Sequence, residues 1–386
     1  MVTIIMHFII SFLMYLITSM VWGVVSSKNA YAHDVTLRDK IGQMFVIGFN
    51  GQIVNETSSI VQDIEQYNLG GVILFDYNYQ TKTFGKNIVS REQVTRLNQT
   101  LQQANEVAQR QHGRPDLPLL IAVDYEGGLV NRLKEQYGFP STLSASDIAK
   151  LPVSEAKLYA ANMANTLKAS GFNLNFSPVL DVNVNPENPI LGKKGRTYSE
   201  DPFIVTEYAG LFSEADVNQR VQCAFKHFPG HGSSTSDSHL GFVDVSSTWR
   251  SYELEPYYQL LNQANGCGMV MTAHIVNRQL DKTAFPATLS HAILTDLLRN
   301  TLHFEGVVVS DDMQMKAITD NYGTEDAVVL AINSGVDMLI FGSQLADGPS
   351  LKELIDLVDH NVQTGEISKE RIEDAYQRIV RLKKSI

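Results

Sequence analysis

The sequence has little cysteine, no excess of positive charge and no low-complexity linker. Two cysteines among 386 residues cannot make a disulfide scaffold, and Cys223 and Cys267 are each expected to pack as a small apolar side chain. Neither lies in a Cys-x-x-Cys or Cys/His pattern typical of zinc sites. Lys and Arg number 31 against 42 Asp and Glu, and this net charge of −11 argues against binding along nucleic-acid phosphates. The sequence therefore predicts no nucleic-acid partner, no metal and no cofactor.

A long hydrophobic run occurs only at the start of the chain. Residues 1–25 are almost wholly apolar and are followed by a polar stretch and by Ala30-Tyr31-Ala32. This pattern predicts that residues 1–32 are a signal peptide cut before His33, so the protein is exported to the periplasm or the medium. No Lys or Arg precedes the run, which is long enough to span a bilayer. An uncleaved N-terminal anchor in the inner membrane is therefore the alternative.

Beyond residue 35, short apolar runs alternate with longer amphipathic stretches. Each run is too short for a helix and is continuously apolar, which is typical of strands buried on both faces of a parallel sheet. Their alternation with stretches of helical period predicts an α/β fold, a single-domain (β/α)8 TIM-type barrel over residues 33–386. An open, doubly wound sheet is the alternative, but no Gly-x-Gly-x-x-Gly follows the first run. The eight runs are residues 42–49, 71–75, 117–124, 174–182, 221–228, 268–275, 306–310 and 337–342.

Charged and polar side chains gather where the predicted strands end. In a barrel of parallel strands the carboxyl ends meet on one rim, and active sites lie there. Any one of these side chains could be a loop cap or a surface ion pair. Their convergence on one rim predicts a catalytic site instead. The residues are Asp124, Arg132, Arg196, Lys226, His227, Asp237, His239 and Asp311.

Four segments of this rim together resemble glycoside hydrolase family 3. They are DYEGGLVNR at 124–132, KHFPGHG at 226–232, DSH at 237–239 and SDDMQMKAI at 310–318. Weaker matches extend the resemblance from about Leu37 to Leu382. The specific similarity is to the single-domain, NagZ-type β-N-acetylhexosaminidases of that family. It implies a (β/α)8 barrel and a retaining enzyme that cleaves a terminal, β-linked N-acetylglucosamine.

The resemblance also implies a role for each rim residue. Carried over by motif, Asp311 is the nucleophile, His239 is the general acid/base and Asp237 is the partner of His239. The residues that resemble the sugar-holding set of the family are Asp124, Arg132, Arg196, Lys226 and His227.

These roles suit the chemistry of a retaining glycosidase, which needs a nucleophile on one face of the sugar and a proton donor at the leaving oxygen. Asp311 is a carboxylate on a rigid strand end, and side-chain alternation turns the adjacent Asp312 away from it. A histidine with a pKa of about 6.5 can give and take a proton at neutral pH. Asp237, two residues before His239 in an extended loop, lies on the same side and can fix its tautomer.

Two other histidines compete with His239 for the role of proton donor. His227 adjoins Lys226, whose charge lowers the basicity of the imidazole, so His227 is expected to donate a hydrogen bond to a sugar hydroxyl. His231 lies between two glycines and is expected to shape the turn.

The two arginines and two departures from the family pattern leave questions open. Arg132 and Arg196 either hold the sugar in fork geometry or form an ion pair that only orders Asp124. Leu129 stands where the family usually has Arg, and serines at 233–234 replace the usual Asp-Thr. Both departures are expected to alter how the aglycone is held or how the loop closes.

The leading hypothesis is release of terminal N-acetylglucosamine from peptidoglycan (muropeptide) fragments or chitooligosaccharides. The alternatives within the family are a β-glucosidase or β-xylosidase, which lack the DSH segment, and a phosphorylase, because a neutral histidine does not repel phosphate. A non-enzymatic alternative is an inactive sugar-binding protein at the cell surface, against which the intact Asp311, Asp237 and His239 argue. The expected partner is a carbohydrate, and the chain is expected to be a monomer.

Overall fold

The computed structural model describes residues 35–344 and 348–386, so the signal peptide or anchor predicted at 1–32 lies outside the described residues. Eight parallel strands close into a barrel in which each strand pairs with its neighbours in the chain and the last pairs with the first. The (β/α)8 barrel predicted from the sequence is confirmed. The strands are β1 Phe45–Gly48, β2 Gly71–Ile73, β3 Leu120–Val123, β4 Leu174–Asn175, β5 Gln222–Phe228, β6 Met269–Thr272, β7 Val307–Asp312 and β8 Met338–Phe341.

Seven of the eight apolar runs contain one barrel strand each, and the run at 306–310 covers all of β7 except Asp311 and Asp312. All residues of β2, β3, β5, β6 and β8 are buried, because one face lines the barrel interior and the other packs on the helices. Parallel pairing in register, such as Val46 opposite Gly71 and Ile340, brings the carboxyl ends of the strands to one rim.

The surrounding helices begin at capping side chains that fix where each loop ends. Asp201 accepts a hydrogen bond from the amide of Phe203, and Ser350 forms a capping box with Glu353. None of the helices in the described ranges is long and apolar enough to cross a bilayer. The helices are α1 Leu37–Gln43, α2 Ser59–Tyr67, α3 Arg91–His112, α4 Ala145–Ile148, α5 Val153–Ala169, α6 Pro202–Asn218, α7 Glu255–Leu260, a π-helix at Ala292–Thr301, α8 Lys316–Tyr322, α9 Thr324–Ser334, α10 Leu351–Thr364 and α11 Lys369–Lys383.

The two cysteines form a disulfide bond, so the expectation that each packs as a free apolar side chain is wrong. Cys223 lies in β5, and Cys267 lies two positions before β6. Parallel pairing sets Ala224 opposite Met269, which brings the two cysteine Cα atoms to 4.8 Å. Both side chains are buried, as their apolar runs predict. The bond depends on the adjacency of two strands, which cysteine spacing alone does not reveal.

Buried ionisable groups join the last helix to the amino end of the barrel. The carboxylate of Asp337, directly before β8, accepts hydrogen bonds from Arg299, Arg371 and Arg378, with Arg299 Nη2 2.6 Å from Oδ2. Lys383 is buried, and its Nζ lies 2.7 Å from Oε1 of Gln43 in α1. Burial lowers the pKa of Lys383 to about 7. These contacts fasten α11 and the π-helix to the barrel.

Candidate active site

The carboxyl ends of β3 and β5 and the loop after β4 place a network of ion pairs in the barrel mouth. Lys226 Nζ lies 3.2 Å from Asp124 Oδ1 and 2.6 Å from Glu126 Oε1. Arg132 Nη2 lies 3.4 Å from Asp124 Oδ2. Arg196 donates to both carboxylate oxygens of Glu126, each at 2.8 Å. The structure thus brings together four of the five residues predicted to hold the sugar.

Glu126 organises this network, although it was not among the predicted site residues. Burial would raise the pKa of Glu126, but the charges of Arg196 and Lys226 outweigh it and hold that pKa well below its ordinary value. Arg196 hydrogen-bonds to Glu126 rather than to Asp124, so of the two arginines only Arg132 forms the ion pair with Asp124 that the sequence left open. The mouth therefore contains a fixed charge pattern, with fork geometry at Arg196.

His227, the fifth residue predicted to hold the sugar, is oriented by a buried carboxylate. Its Nδ1 lies 2.6 Å from Oδ2 of Asp181, and the other oxygen, Oδ1, accepts from the amide of His231 at 2.7 Å. The carboxylate keeps the proton on Nδ1, so in the neutral ring Nε2 is an acceptor. Arg196 Nη2 lies 3.4 Å from this Nε2. Nε2 of a neutral His227 therefore faces Arg196 as an acceptor, and the hydrogen bond to a sugar hydroxyl stays a prediction.

Two adjacent carboxyl groups at the end of β7 have different environments. Burial would raise the pKa of Asp311, but the nearby His274, His227 and His239 outweigh it and lower that pKa overall. Asp312 instead accepts from the amide of Gly342 at 3.3 Å, and burial raises its pKa to about 6. As pH rises, Asp311 therefore ionises before Asp312, which suits its predicted role as nucleophile.

His274, in β6's loop, supports the end of β7 from the side. Its Nε2 lies 3.0 Å from the carbonyl oxygen of Asp312, and its Nδ1 lies 2.7 Å from Oγ1 of Thr288. Burial lowers the pKa of His274, despite the opposing charge of Asp311. His274 thus fixes the strand end that carries both carboxyl groups.

Asp237 and His239 form the pair that their spacing predicts. Nδ1 of His239 lies 2.8 Å from Oδ1 of Asp237, and the amide of His239 donates to the same oxygen at 2.9 Å. The His239 side chain is 47% exposed, so its Nε2 edge is accessible to a ligand. Burial would raise the pKa of Asp237, but the hydrogen bonds from His239 lower it. The carboxylate therefore stays charged and holds the proton on Nδ1.

Ser238, between the two members of this pair, points into the protein. Its side chain is buried, and its Oγ lies 3.3 Å from Nε2 of His231. Burial lowers the pKa of His231 to about 4, so that ring is neutral. His231 was expected to have a structural role, and in the structure it contacts the loop that carries Asp237 and His239.

A family model describes the whole of this barrel. The glycosyl hydrolase family 3 N terminal domain matches residues 36–382. The chain belongs to glycosyl hydrolase family 3. Among its family 3 relatives, the β-hexosaminidase A of Pseudoalteromonas piscicida is 33% identical over 341 residues, which are 83% of this chain and 54% of that protein.

Solved structures agree with the assignment to family 3. A family 3 β-N-acetylglucosaminidase from Paenibacillus sp. str. FPU-7 matches with a TM-score of 0.79 and 31% identity, over 91% of this chain and 62% of that one. A β-N-acetylhexosaminidase from Beutenbergia cavernae DSM 12333 matches with a TM-score of 0.78 and 28% identity, over 91% and 99% of the two chains. This chain therefore spans roughly half to two thirds of some relatives and nearly all of another.

Three buried residues of the family 3 site were missed by the sequence analysis. Glu126 lies inside the segment DYEGGLVNR, and His274 lies inside MTAHI at 271–275, one of the weaker matches to the family; these segments were the available signal. Asp181 follows β4 in an apolar stretch, and only its complete burial beside His227 reveals its role. In each case the partner is far away in sequence.

The two departures from the family 3 pattern differ in burial: Leu129 is exposed, and the serines at 233–234 are buried. Leu129 is 70% exposed at the mouth, so a neutral side chain stands at that point of the rim. Ser233 is buried, and its amide donates to Oε2 of Glu253 at 3.3 Å. Within residues 35–344 and 348–386, no cluster of His, Cys, Asp and Glu is arranged to hold a metal ion.

Proposed function

We propose that the chain is a retaining β-N-acetylhexosaminidase that hydrolyses terminal, β-linked N-acetylglucosamine from muropeptide fragments or chitooligosaccharides. The observation that carries the proposal is the Asp237–His239 hydrogen bond at the same rim as an ionised Asp311. A carboxylate and an oriented imidazole are the two groups that double displacement at an anomeric carbon requires. The names of the family 3 relatives support the same activity.

In the first step the Asp311 carboxylate attacks the anomeric carbon, and the glycosidic oxygen leaves with a proton from Nε2 of His239. The barrel mouth favours the two charge states that this step requires, an anionic Asp311 and a protonated His239. The electrostatic environment of Asp311 favours its anion, and Asp237 stabilises the imidazolium that must be present before transfer.

In the second step the neutral His239 takes a proton from water, which attacks the glycosyl ester on Asp311. Asp237 keeps the ring in the tautomer whose Nε2 faces the reacting water. Because Asp237 is only partly exposed while His239 is exposed, the pair is anchored on the protein side and open on the substrate side.

The charged network of the mouth is proposed to hold the sugar. Asp124 accepts from adjacent hydroxyl groups, Arg132 and Lys226 keep its carboxylate in place, and Arg196 and His227 line the neighbouring wall. Burial of these charges raises their interaction strength with hydroxyl groups compared with water.

The decisive measurement compares hydrolysis of an aryl β-N-acetylglucosaminide with that of an aryl β-glucoside, with and without phosphate. We expect hydrolysis of the former with retention of the β configuration, and no phosphate dependence. A faster reaction on the glucoside would indicate a β-glucosidase, and formation of a sugar 1-phosphate would indicate a phosphorylase. Absence of turnover on every substrate would leave only a sugar-binding role.

Export through residues 1–32 is a separate proposal. The Cys223–Cys267 disulfide supports it, since such bonds persist mainly in oxidising compartments. Intact-mass measurement of the protein from its native cell should give an N-terminus at His33. A mass that includes residues 1–32 would instead favour the anchored form.

A further inference from the structure

Exposed large apolar side chains are concentrated at the catalytic end of the barrel. Seven of the thirteen in the described residues lie in non-helical segments of the loops that follow barrel strands. Single exposed apolar residues are ordinary on a protein surface, but a group of them around a ligand site indicates a binding surface. The seven are Ile53, Tyr79, Phe84, Leu129, Leu143, Leu240 and Phe242.

Three of the aromatic rings on this rim are packed together in one hairpin after β2. In this rim hairpin, residues 77–84, Tyr77–Asn78 pairs antiparallel with Thr83–Phe84. The ring centre of Tyr77 lies 5.0 Å from that of Tyr79 and 4.9 Å from that of Phe84, both in edge-on contact. Tyr79 and Phe84 remain 52% and 62% exposed. Two aromatic rings are therefore held in place without being covered.

Contacts at the base make the rim hairpin part of the rigid barrel. Lys134 ion-pairs with the buried Asp76, and its Nζ lies 4.9 Å from the ring centre of Phe84. The amide of Gly85 donates to the carbonyl oxygen of Asp76 at 2.6 Å. Rings fixed in this way lose little conformational entropy when a ligand stacks on them.

The same base touches two walls of the sugar pocket. On one side, Cζ of Arg132, the partner of Asp124, lies 5.7 Å from the ring centre of Phe75, which precedes the hairpin. On the other side, Gln344 Nε2 donates to the carbonyl oxygen of Tyr77 at 3.1 Å. Gln344 follows Gly342, whose amide binds Asp312 next to the proposed nucleophile. The hairpin therefore adjoins both the side of the pocket that carries Asp124 and the side that carries Asp312.

From this placement we propose that Tyr79 and Phe84 form a binding surface for the sugar units that follow the terminal N-acetylglucosamine. The inference rests on the proposed hexosaminidase activity and names its substrate class: an uncharged oligomer of β-linked N-acetylglucosamine. The C–H groups on one face of a pyranose carry partial positive charge and are attracted to the negative face of an aromatic ring.

Charge favours this occupant over an anionic muropeptide. The carboxylates of a muropeptide aglycone require cations, and the hairpin offers only Lys82 at its turn, because Lys134 is paired with Asp76. Leu129 places an uncharged side chain on the same rim, and the chain carries a net charge of −11. Apolar rings with little positive charge match a neutral sugar chain.

The test measures kcat/KM of Tyr79→Ala, Phe84→Ala and the double variant on two substrates. N-acetyl-β-glucosaminyl fluoride has a leaving group too small to reach the hairpin, and chitotetraose extends over it. The double variant should lose about 5- to 50-fold in kcat/KM on chitotetraose, mainly through KM, as expected for two lost ring contacts. Its kcat/KM on the fluoride should stay within about twofold, because the pocket is untouched.

Tyr258→Ala is the matched control, since Tyr258 is 51% exposed on α7 and lies outside the rim loops. It should leave both substrates unaffected. Equal losses on both substrates, no loss on chitotetraose, or a loss in the control would overturn the inference. A wild type that prefers an N-acetylglucosaminyl-anhydromuramoyl peptide, with Lys82→Ala rather than Tyr79→Ala lowering that activity, would also overturn it. If the wild type fails on the fluoride itself, the proposed activity fails instead.

Discussion

At the amino end of the barrel three guanidinium groups surround the carboxylate of Asp337, whereas at the carboxyl end Glu126 binds one guanidinium group and one ammonium group. Both carboxylates are buried among their partners. In the described residues, the ion pairs of Asp337 are all with these three arginines, whose side chains are at most 18% exposed. The carboxyl end adds Asp237 and His239, whose imidazole is 47% exposed. Similar ion pairs therefore fasten helices at one end and prepare a reaction site at the other.

The largest expected effect comes from a substitution that disrupts only the reaction site at the carboxyl end of the barrel. Asp311→Asn should keep the fold and lower kcat by at least about 10³-fold, because an amide cannot form the glycosyl ester. Steady-state kinetics with an aryl N-acetylglucosaminide give the loss, and a 2-fluoro sugar should label Asp311 in the wild type. Asp312→Asn is the control and should retain far more activity. If Asp311→Asn kept more than a few per cent of turnover, the nucleophile would have to be reassigned.

The second prediction concerns the proton donor. His239→Ala should slow substrates with poor leaving groups by about 10²- to 10⁴-fold. With a very acidic phenol as leaving group the second step becomes limiting, so a burst of phenol and a lowered KM are expected. Asp237→Asn should show a milder form, since the ring remains but its tautomer is no longer fixed.

The pH dependence of kcat/KM should change in the same variant. In the wild type the acidic limb reports Asp311 and the basic limb reports loss of the proton from His239. His239→Ala should therefore lose the basic limb. An unchanged basic limb, with equal losses for all leaving groups, would direct attention to His227 or His231.

The third prediction concerns a substitution that disrupts the ion-pair network at the amino end of the barrel. Asp337→Ala leaves three largely buried guanidinium groups without their shared carboxylate, and should lower the free energy of unfolding by about 3 kcal/mol or more. Urea unfolding measures the loss. Asp147→Ala, which removes a well-exposed ion pair with Lys150, should leave the free energy of unfolding almost unchanged. A large fall in kcat of the folded Asp337→Ala protein would mean that the two ends are coupled.

The smallest expected effect is a change in how steeply the free energy of unfolding depends on pH. Burial lowers the pKa of Lys383 to about 7, so the folded chain holds fewer protons than the unfolded chain between pH 7 and the ordinary lysine pKa of 10.5. Stability therefore rises with pH across that window, and the contribution is lost as pH falls toward 7. Lys383→Met should flatten this rise, by roughly 1–3 kcal/mol in all. Parallel curves of Tm against pH for variant and wild type would contradict the buried, neutral amine.

Patterns within one segment were readable from the sequence, and contacts between distant segments were not. Each barrel strand lies in a continuous apolar run, apart from the last two residues of β7, because both faces of a closed parallel barrel are covered. The Asp237–His239 pair was predicted because it depends only on a two-residue spacing. Arg196 was expected in the site, but its partner Glu126 lies 70 residues away and meets it only after the barrel closes.

The same limit explains the cysteines and the rim hairpin. The disulfide forms only because β5 and β6 are neighbours in the barrel. The separation of 44 residues between the two cysteines does not predict that adjacency. The hairpin strands contain two residues each, too few for the alternation that predicts a strand. His227 lies in the barrel mouth, but its hydrogen-bonding direction depends on Asp181, which lies 46 residues away.

The first described helix is held against the last two. Arg38 in α1 contacts Asp356 and Asp359 in α10, and Lys40 contacts Glu373 in α11. Residues near the two ends of the described chain are thus neighbours in space. Joining them by a short linker and opening the chain at an exposed loop should give a circular permutant with the same barrel. An affinity tag or a surface attachment at either end would likewise leave the catalytic mouth clear for substrate.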